Sequence, residues 1–404
     1  MGNPAGRVRI RGLTEGVLFV SAISLLVLSA AGAGAQFHRP GGEGHGELAE
    51  VERLIDSLGS GPVDQGAVKA LGARLDRLAL LHPLSQRVPL LTHRLARTAG
   101  DNAGAALAFN RVIAARPMDP SVYYTRGVWL VEQGRIGSAL TDFQKSLDLG
   151  REELIHIFTL CFRIFGGHFA SFEWIIPDDG PTMEVVARLL ADNGLLDESL
   201  RLYNKCIEEQ PRRADLYHLV ALGWFRQGAY EASLAAAGQA LALEPSSPVY
   251  LQHQGDCLLA LGRLEAALER GRRLVAGDPL DARGYLLLAR CHTAAGNERL
   301  VLQAYREGLK HTGKKAQFHR LIGDIHLAAH RPGEAEPEYR AALAAHPPVK
   351  EKQRALYGLG ICLEQGGRSE EAAEVLRQAL HAGEGMLPWL DHNVSKALER
   401  IETT

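Results

Sequence analysis

From residue 52 to residue 386 the apolar positions fall into short helical stripes broken at regular intervals. Ala105 and Phe109, Ala139 and Phe143, Ser199 and Tyr203, and Ala335 and Tyr339 each set a small residue four positions before a large one. That spacing puts both on one helix face. The small member lets two helices approach closely, and the large one fills the space between neighbours. A second stripe precedes the first in each stretch. Tyr123, Gly127 and Leu130 recur as Tyr217, Ala221 and Trp224, then as Tyr285, Ala289 and His292. The pattern predicts pairs of helices, repeated many times.

The breaks between stripes form two interlocked combs. Gly66, Gly100 and Gly134 are 34 residues apart, as are Gly194, Gly228, Gly262 and Gly296. Seventeen residues after many of them stands a proline: Pro83, Pro117, Pro211, Pro245 and Pro279, with Pro347 keeping its place although His330 replaces the glycine. Glycine tolerates the left-handed conformation that ends one helix in a tight turn. Proline, lacking an N–H, stops the second helix and starts the next unit.

This combination resembles the tetratricopeptide repeat, a helix–turn–helix unit of 34 residues. The resemblance implies an all-α, right-handed superhelical solenoid of helix–turn–helix repeats with an N-terminal apolar helix. Regular repeats are read at 86–119 and 120–153, five more over 180–349, and a last one over 350–386 after a three-residue slip. Residues 47–85 read as a degenerate opening repeat, because Pro62 falls where its first helix should continue. The stretch 154–179 breaks the frame with LIHIFTLCFRIF, Gly166 and Gly167, and reads as a shortened, irregular repeat. Leu390, Val394, Ala397, Leu398 and Ile401 share one face of a helix over 387–404, the wet-backed cap that an array end requires.

The first residues follow another rule. Arg7, Arg9 and Arg11 precede an uncharged stretch, residues 16–35, with its apolar centre at 17–28 and Ala33, Gly34 and Ala35 at its end. An uncleaved single-pass anchor and a cleaved export signal both fit. Either favours repeats outside the cytoplasm or in the periplasm; a buried helix is the remaining alternative. Residues 36–46 are Gly-rich and read as a linker.

The formal charge of −2 offers nothing to nucleic acid. Five cysteines, Cys161, Cys206, Cys257, Cys291 and Cys362, form no CxxC pair and suit neither a disulfide framework nor zinc. They fall where the repeat has small buried residues, so packing is expected. His319, His326 and His330 lie on one stretch at spacings that could chelate a metal, but no carboxylate stands with them at ligand spacing. Packing is expected for His326 and a turn for His330. Asp178 and Asp179 are expected to cap the helix opening near Pro181. No catalytic motif occurs, so no enzyme activity, cofactor or metal is expected.

The resemblance implies a groove lined by the outer faces of the first helices, holding a protein or peptide partner. The residues expected to face it are Arg94, Tyr124, Arg188, His218, Asp256, Arg290, Arg320 and Asp324. Matching first-helix pairs such as Tyr124 with Val128, Glu184 with Arg188, and Arg320 with Asp324 lack the Lys-and-Asn clamp with which some family members hold a peptide carboxylate. The arginines could grip anionic groups through their planar donor forks; a solvated mixed-charge face is the alternative. The expected role is a scaffold or adaptor in envelope polysaccharide or secretion assembly. Its rival is a module beside a membrane glycosyltransferase or polymerase, or a metal-dependent activity of the His319–His330 cluster.

Overall fold

The computed structural model describes residues 44–58, 63–82, 87–383 and 385–402. The apolar N-terminal segment and residues 36–43 of the expected linker lie outside the described residues. Those described form twenty α-helices and no strand. The chain divides into two compact units, residues 1–182 and 183–404.

In the first unit α1 (Gly44–Leu58) and α2 (Gln65–Leu81) are followed by the pairs α3 (Arg87–Thr98) with α4 (Asn102–Ala115) and α5 (Pro120–Glu132) with α6 (Ile136–Leu149). Two expectations are corrected here. Residues 44–46 begin α1 and are not linker. Gly66 is not a turn glycine: its N–H donates to the Asp64 side chain in the first turn of α2. The comb misled because a glycine just inside a capped helix start looks, by spacing alone, like one at a helix end.

Next comes α7 (Leu154–Ile164), continued by two 3-10 turns, Phe169–Ser171 and Glu173–Ile175. Gly166 and Gly167 both have positive φ and let the chain double back. The returning turns carry Phe172 against Phe158, Phe165 and Phe169, with ring centroids 5.4–5.9 Å apart. The apolar run therefore packs on its own return. No helix among the described residues is long and apolar enough to cross a membrane.

The second unit takes up most of α8 (Gly180–Asp192), whose start is capped by Asp179, and pairs it with α9 (Leu196–Glu209). It continues through α10 (Ala214–Arg226), α11 (Tyr230–Leu243), α12 (Pro248–Ala260) and α13 (Leu264–Gly277). Beyond these are α14 (Ala282–Ala294), α15 (Glu298–His311), α16 (Lys315–Ala328), α17 (Pro332–Ala344), α18 (Val349–Gln365), α19 (Ser369–Gly383) and the terminal α20 (Pro388–Glu402).

The combs have a direct physical meaning. Gly100, Gly134, Gly194, Gly228, Gly262, Gly296 and Gly367 all sit at positive φ in the turns within pairs, and His330 adopts φ 55° at the same place. Three proline carbonyls accept hydrogen bonds from a tyrosine of the next first helix: Tyr123 to Pro117 at 3.0 Å, Tyr217 to Pro211 at 3.3 Å and Tyr285 to Pro279 at 3.2 Å. The same aromatic thus reads the end of one repeat and opens the next. Phe143 and Tyr339, the large members of their stripes, are wholly buried.

Candidate functional site

Each expected groove residue lies on a first helix or, for Arg94, on α3 of the same class. In the first unit the Arg94 guanidinium reaches back to α1, 2.9 Å from Glu52 Oε1 and in contact with Asp56. Tyr124 on α5 is half-buried between the rings of Phe143 and His156, each centroid 6.2 Å away. Burial, reinforced by Glu153, pushes its hydroxyl up to about 12, so it stays a neutral donor.

In the second unit the remaining six stand on α8, α10, α12, α14 and α16. Asp256 on α12 and Arg290 on α14 are 34 residues apart and form an ion pair between consecutive first helices. Burial raises the Asp256 carboxyl, against the pull of Arg290. Arg320 on α16 is held by Asp324 one turn on and by Glu351 of α18. Asp324 also accepts a hydrogen bond from the buried Tyr339 hydroxyl at 2.8 Å. Burial pushes Asp324 up, opposed by Arg320.

Arg188 differs from the other arginines. Its side chain keeps 62% of its exposure and its nearest ion-pair oxygen, on Glu184, is 3.6 Å away. Glu184 is shared with Arg213 at 3.1 Å. His218 on α10 is half-buried against Tyr250 and His253, and burial, with His253 second, holds its imidazole down at about 4. The groove arginines are thus mostly occupied by carboxylates of this chain, and Arg188 is the one most open to an outside anion.

The structure separates the three histidines considered for metal binding. His319 Nδ1 lies 2.7 Å from Glu338 on α17, His326 Nδ1 lies 3.0 Å from Glu334, and His330 makes the turn. His319 and His326 each meet a carboxylate of the facing helix, which spacing along one helix cannot show. They remain two separate pairs, and no group of three or more metal-ligating side chains occurs among the described residues. All five cysteines are free and buried. Desolvation raises their thiols, that of Cys161 to about 12, which suits packing and not nucleophilic chemistry.

One feature was missed by the sequence reading. A crevice of about 530 Å³ opens beside α9, where Arg201, Asn204, Lys205 and Glu208 meet Trp224 of α10.

A family model for the tetratricopeptide repeat matches residues 94–153 and 320–386. Over 133 residues, 33% of the chain, it is 31% identical to cellulose synthase operon protein C of Pseudomonas fluorescens, covering 10% of that protein. Over 145 residues, 35% of the chain, it is 26% identical to the cytochrome c-type biogenesis protein CycH of Bradyrhizobium diazoefficiens, covering 38% of it. The chain thus matches well under two thirds of the length of these relatives. Among solved structures, a tetratricopeptide repeat protein of Parabacteroides merdae aligns with 70% of this chain and 98% of its own, at 13% identity and TM-score 0.43. A thermophilic one from Thermus thermophilus aligns with 46% and 99%, at 23% identity and TM-score 0.37. With the period, the turn geometry and the matched segments together, the chain is a tetratricopeptide repeat protein.

Proposed function

We propose that this chain is a non-enzymatic scaffold that holds a protein or peptide partner along the face formed by its first helices. One observation carries the reading: the Asp256–Arg290 pair joins α12 to α14 and Arg320–Glu351 joins α16 to α18. Side chains of successive first helices of the second unit therefore meet in pairs, as expected where stacked helix pairs build extended binding surfaces. On that face Arg188 is the contact residue of choice, with His218 and the Asp256–Arg290 and Arg320–Asp324 pairs along the strip. In the first unit Arg94 and Tyr124 hold the corresponding positions. In the same reading residues 1–35 anchor or export the chain, and the repeats work outside the cytoplasm in assembly of envelope polysaccharide or of secreted components. The basic start and apolar stretch support the location. The names of the Pseudomonas and Bradyrhizobium relatives support an assembly role.

The test uses the full chain as bait in its native host. Arg188→Glu should abolish recovery of the partner that co-purifies with the wild type, while Arg306→Glu on the second helix α15 should not. Unchanged recovery with Arg188→Glu moves the site off this face. Protease protection in intact cells decides the location: a repeat region cleaved only after lysis by an externally added protease that reaches the periplasm would overturn it.

A further inference from the structure

We propose that the His218–His253 pair makes the seam between the repeats 214–247 and 248–281 an acid-operated hinge, closed while both rings are neutral and opened when either takes up a proton. The two rings meet edge to face, centroids 5.2 Å apart, one from α10 and one from α12. His253 is buried at 6% exposure. Its Nε2 lies 3.0 Å from Ser233 Oγ of α11. That hydroxyl donates its only hydrogen to the Ala221 carbonyl of α10 at 2.7 Å. The His253 Nε2 must therefore carry the hydrogen and donate to Ser233, leaving Nδ1 as the site a proton would take. The Cys257 thiol, 3.1 Å from the same oxygen, completes a buried knot that ties three helices at one point. Across the seam His218 Nδ1 is buried and has no hydrogen-bond partner among the described residues.

Protonation adds charge that the Ala221 carbonyl favours at His253, but that no carboxylate free of an arginine meets on α10 or α12. On α10 the acid nearest in sequence is Asp215, and Arg213 already holds it. Next along α12 is Asp256, which Arg290 holds. Tyr250, packed on His218, has Glu244 and Asp215 within electrostatic range, and α11 offers only the Ser233 hydroxyl to the knot. Phe225 closes the other side of His253, with ring centroids 5.4 Å apart. Two imidazolium rings in contact would repel each other, and one alone is stranded in an apolar seam. Burial accordingly depresses both histidines, His218 to about 4. The sign follows from proton linkage: the open state binds more protons, so closure is complete above the ordinary histidine value near 6.5 and weakens as pH falls from there towards 4.

Peptide-resolved amide hydrogen exchange on the full-length protein tests this. After correction for intrinsic exchange, protection over 214–260 should fall at least about fifteenfold between pH 6.5 and pH 5, the share of His218 alone. Protection over 353–383, whose His381 is exposed, should fall much less. The double variant His218→Leu/His253→Gln should lose the selective fall, because glutamine keeps a donor for Ser233 and neither side chain titrates. A fall of equal size in both segments, or one that survives in the double variant, overturns the proposal. If the double variant does not fold, an NMR titration of the wild-type imidazoles decides. His218 should remain neutral to below pH 5.5 and His253 should titrate below the ordinary histidine value, and titration of either ring at 6.5 or above overturns it.

Discussion

Asp256 and Arg290 occupy equivalent positions of consecutive first helices and neutralise each other across the step from α12 to α14. The arginine is half-exposed and the aspartate mostly covered, so the pair is worth about 0.2–1 kcal/mol by comparison with other surface pairs. Arg290→Glu sets two carboxylates together on adjacent helices. It should lower the urea-unfolding free energy by about 1 kcal/mol, and Asp256→Lys in the same chain should restore most of it. A double variant no more stable than Arg290→Glu would mean that the two side chains do not interact.

How much of this was readable in advance depends on whether contacts obey the period. Asp256 and Arg290 are 34 apart, so the repeat itself places them side by side. The turn at His330 was equally legible from the missing tooth of the comb. Arg94 with Glu52 and Asp56, Arg320 with Glu351, and His319 with Glu338 join positions that no short spacing rule connects. Their partners depend on which helix faces which, and the charges that looked available were therefore already spent. The opening pair was misframed for a related reason: Asp64 caps α2 ahead of Gly66, so the first tooth of the comb belongs to a helix start.

Two glycines should respond in opposite ways to alanine. A Cβ on Gly358 of α18 would lie 2.4 Å from the ring of the wholly buried Tyr339. Gly358→Ala should destabilise by about 1–3 kcal/mol through overpacking, exceeding the propensity gain of up to about 1 kcal/mol. On α11 a Cβ at Gly238 meets nothing closer than Gln254 Nε2 at 3.7 Å. Gly238→Ala should therefore stabilise by about 0.5–1 kcal/mol. Thermal unfolding of the two variants should show shifts of opposite sign, and shifts of the same sign contradict the packing around Tyr339.

His330 occupies, with φ 55°, a turn position that glycine fills in the neighbouring repeats. A side chain in the left-handed region costs roughly 1–2 kcal/mol. His330→Gly should raise stability by up to about 1 kcal/mol, part of the gain being returned as entropy in the unfolded chain. His330→Val, with a branched Cβ, should lower it. Denaturation midpoints ranked glycine, histidine, valine are expected, and any other order rejects a conformational origin.

His93 gives the first unit a pH dependence of its own. It is 3% exposed, donates from Nδ1 to the Ala105 carbonyl at 3.1 Å and lies against Phe109. Burial holds it at about 4, well below its unfolded value. The folded state then favours the neutral ring, so this contribution is complete above about pH 6.5 and is lost as pH falls towards 4. At pH 4 the loss should be of order 3 kcal/mol. His93→Gln should flatten the acid limb for residues 87–115 in hydrogen exchange, and an unchanged acid limb would exclude His93 as its source.

Asp391 holds the terminal helix in place. It accepts from Gln353 Nε2 of α18 at 2.6 Å and from the Gly385 N–H at 3.1 Å, linking α20 and the loop before it to the last full pair. Gln353 is wholly buried, so deleting the acceptor strands its amide. Each stranded donor costs about 1–3 kcal/mol. Beneath α20 lie Leu356, Leu376 and Ala379, covered by Leu390, Val394 and Ala397. Asp391→Ala should accordingly release the cap before the array unfolds, because an uncapped repeat end exposes apolar surface. Limited proteolysis should cut first between 384 and 402 in the variant and not in the wild type, with dye binding to the uncovered leucines rising in step. Asp391→Asn, which keeps an oxygen acceptor, should restore most of the resistance. Equal resistance in Asp391→Ala and wild type would show that apolar contact alone seats α20.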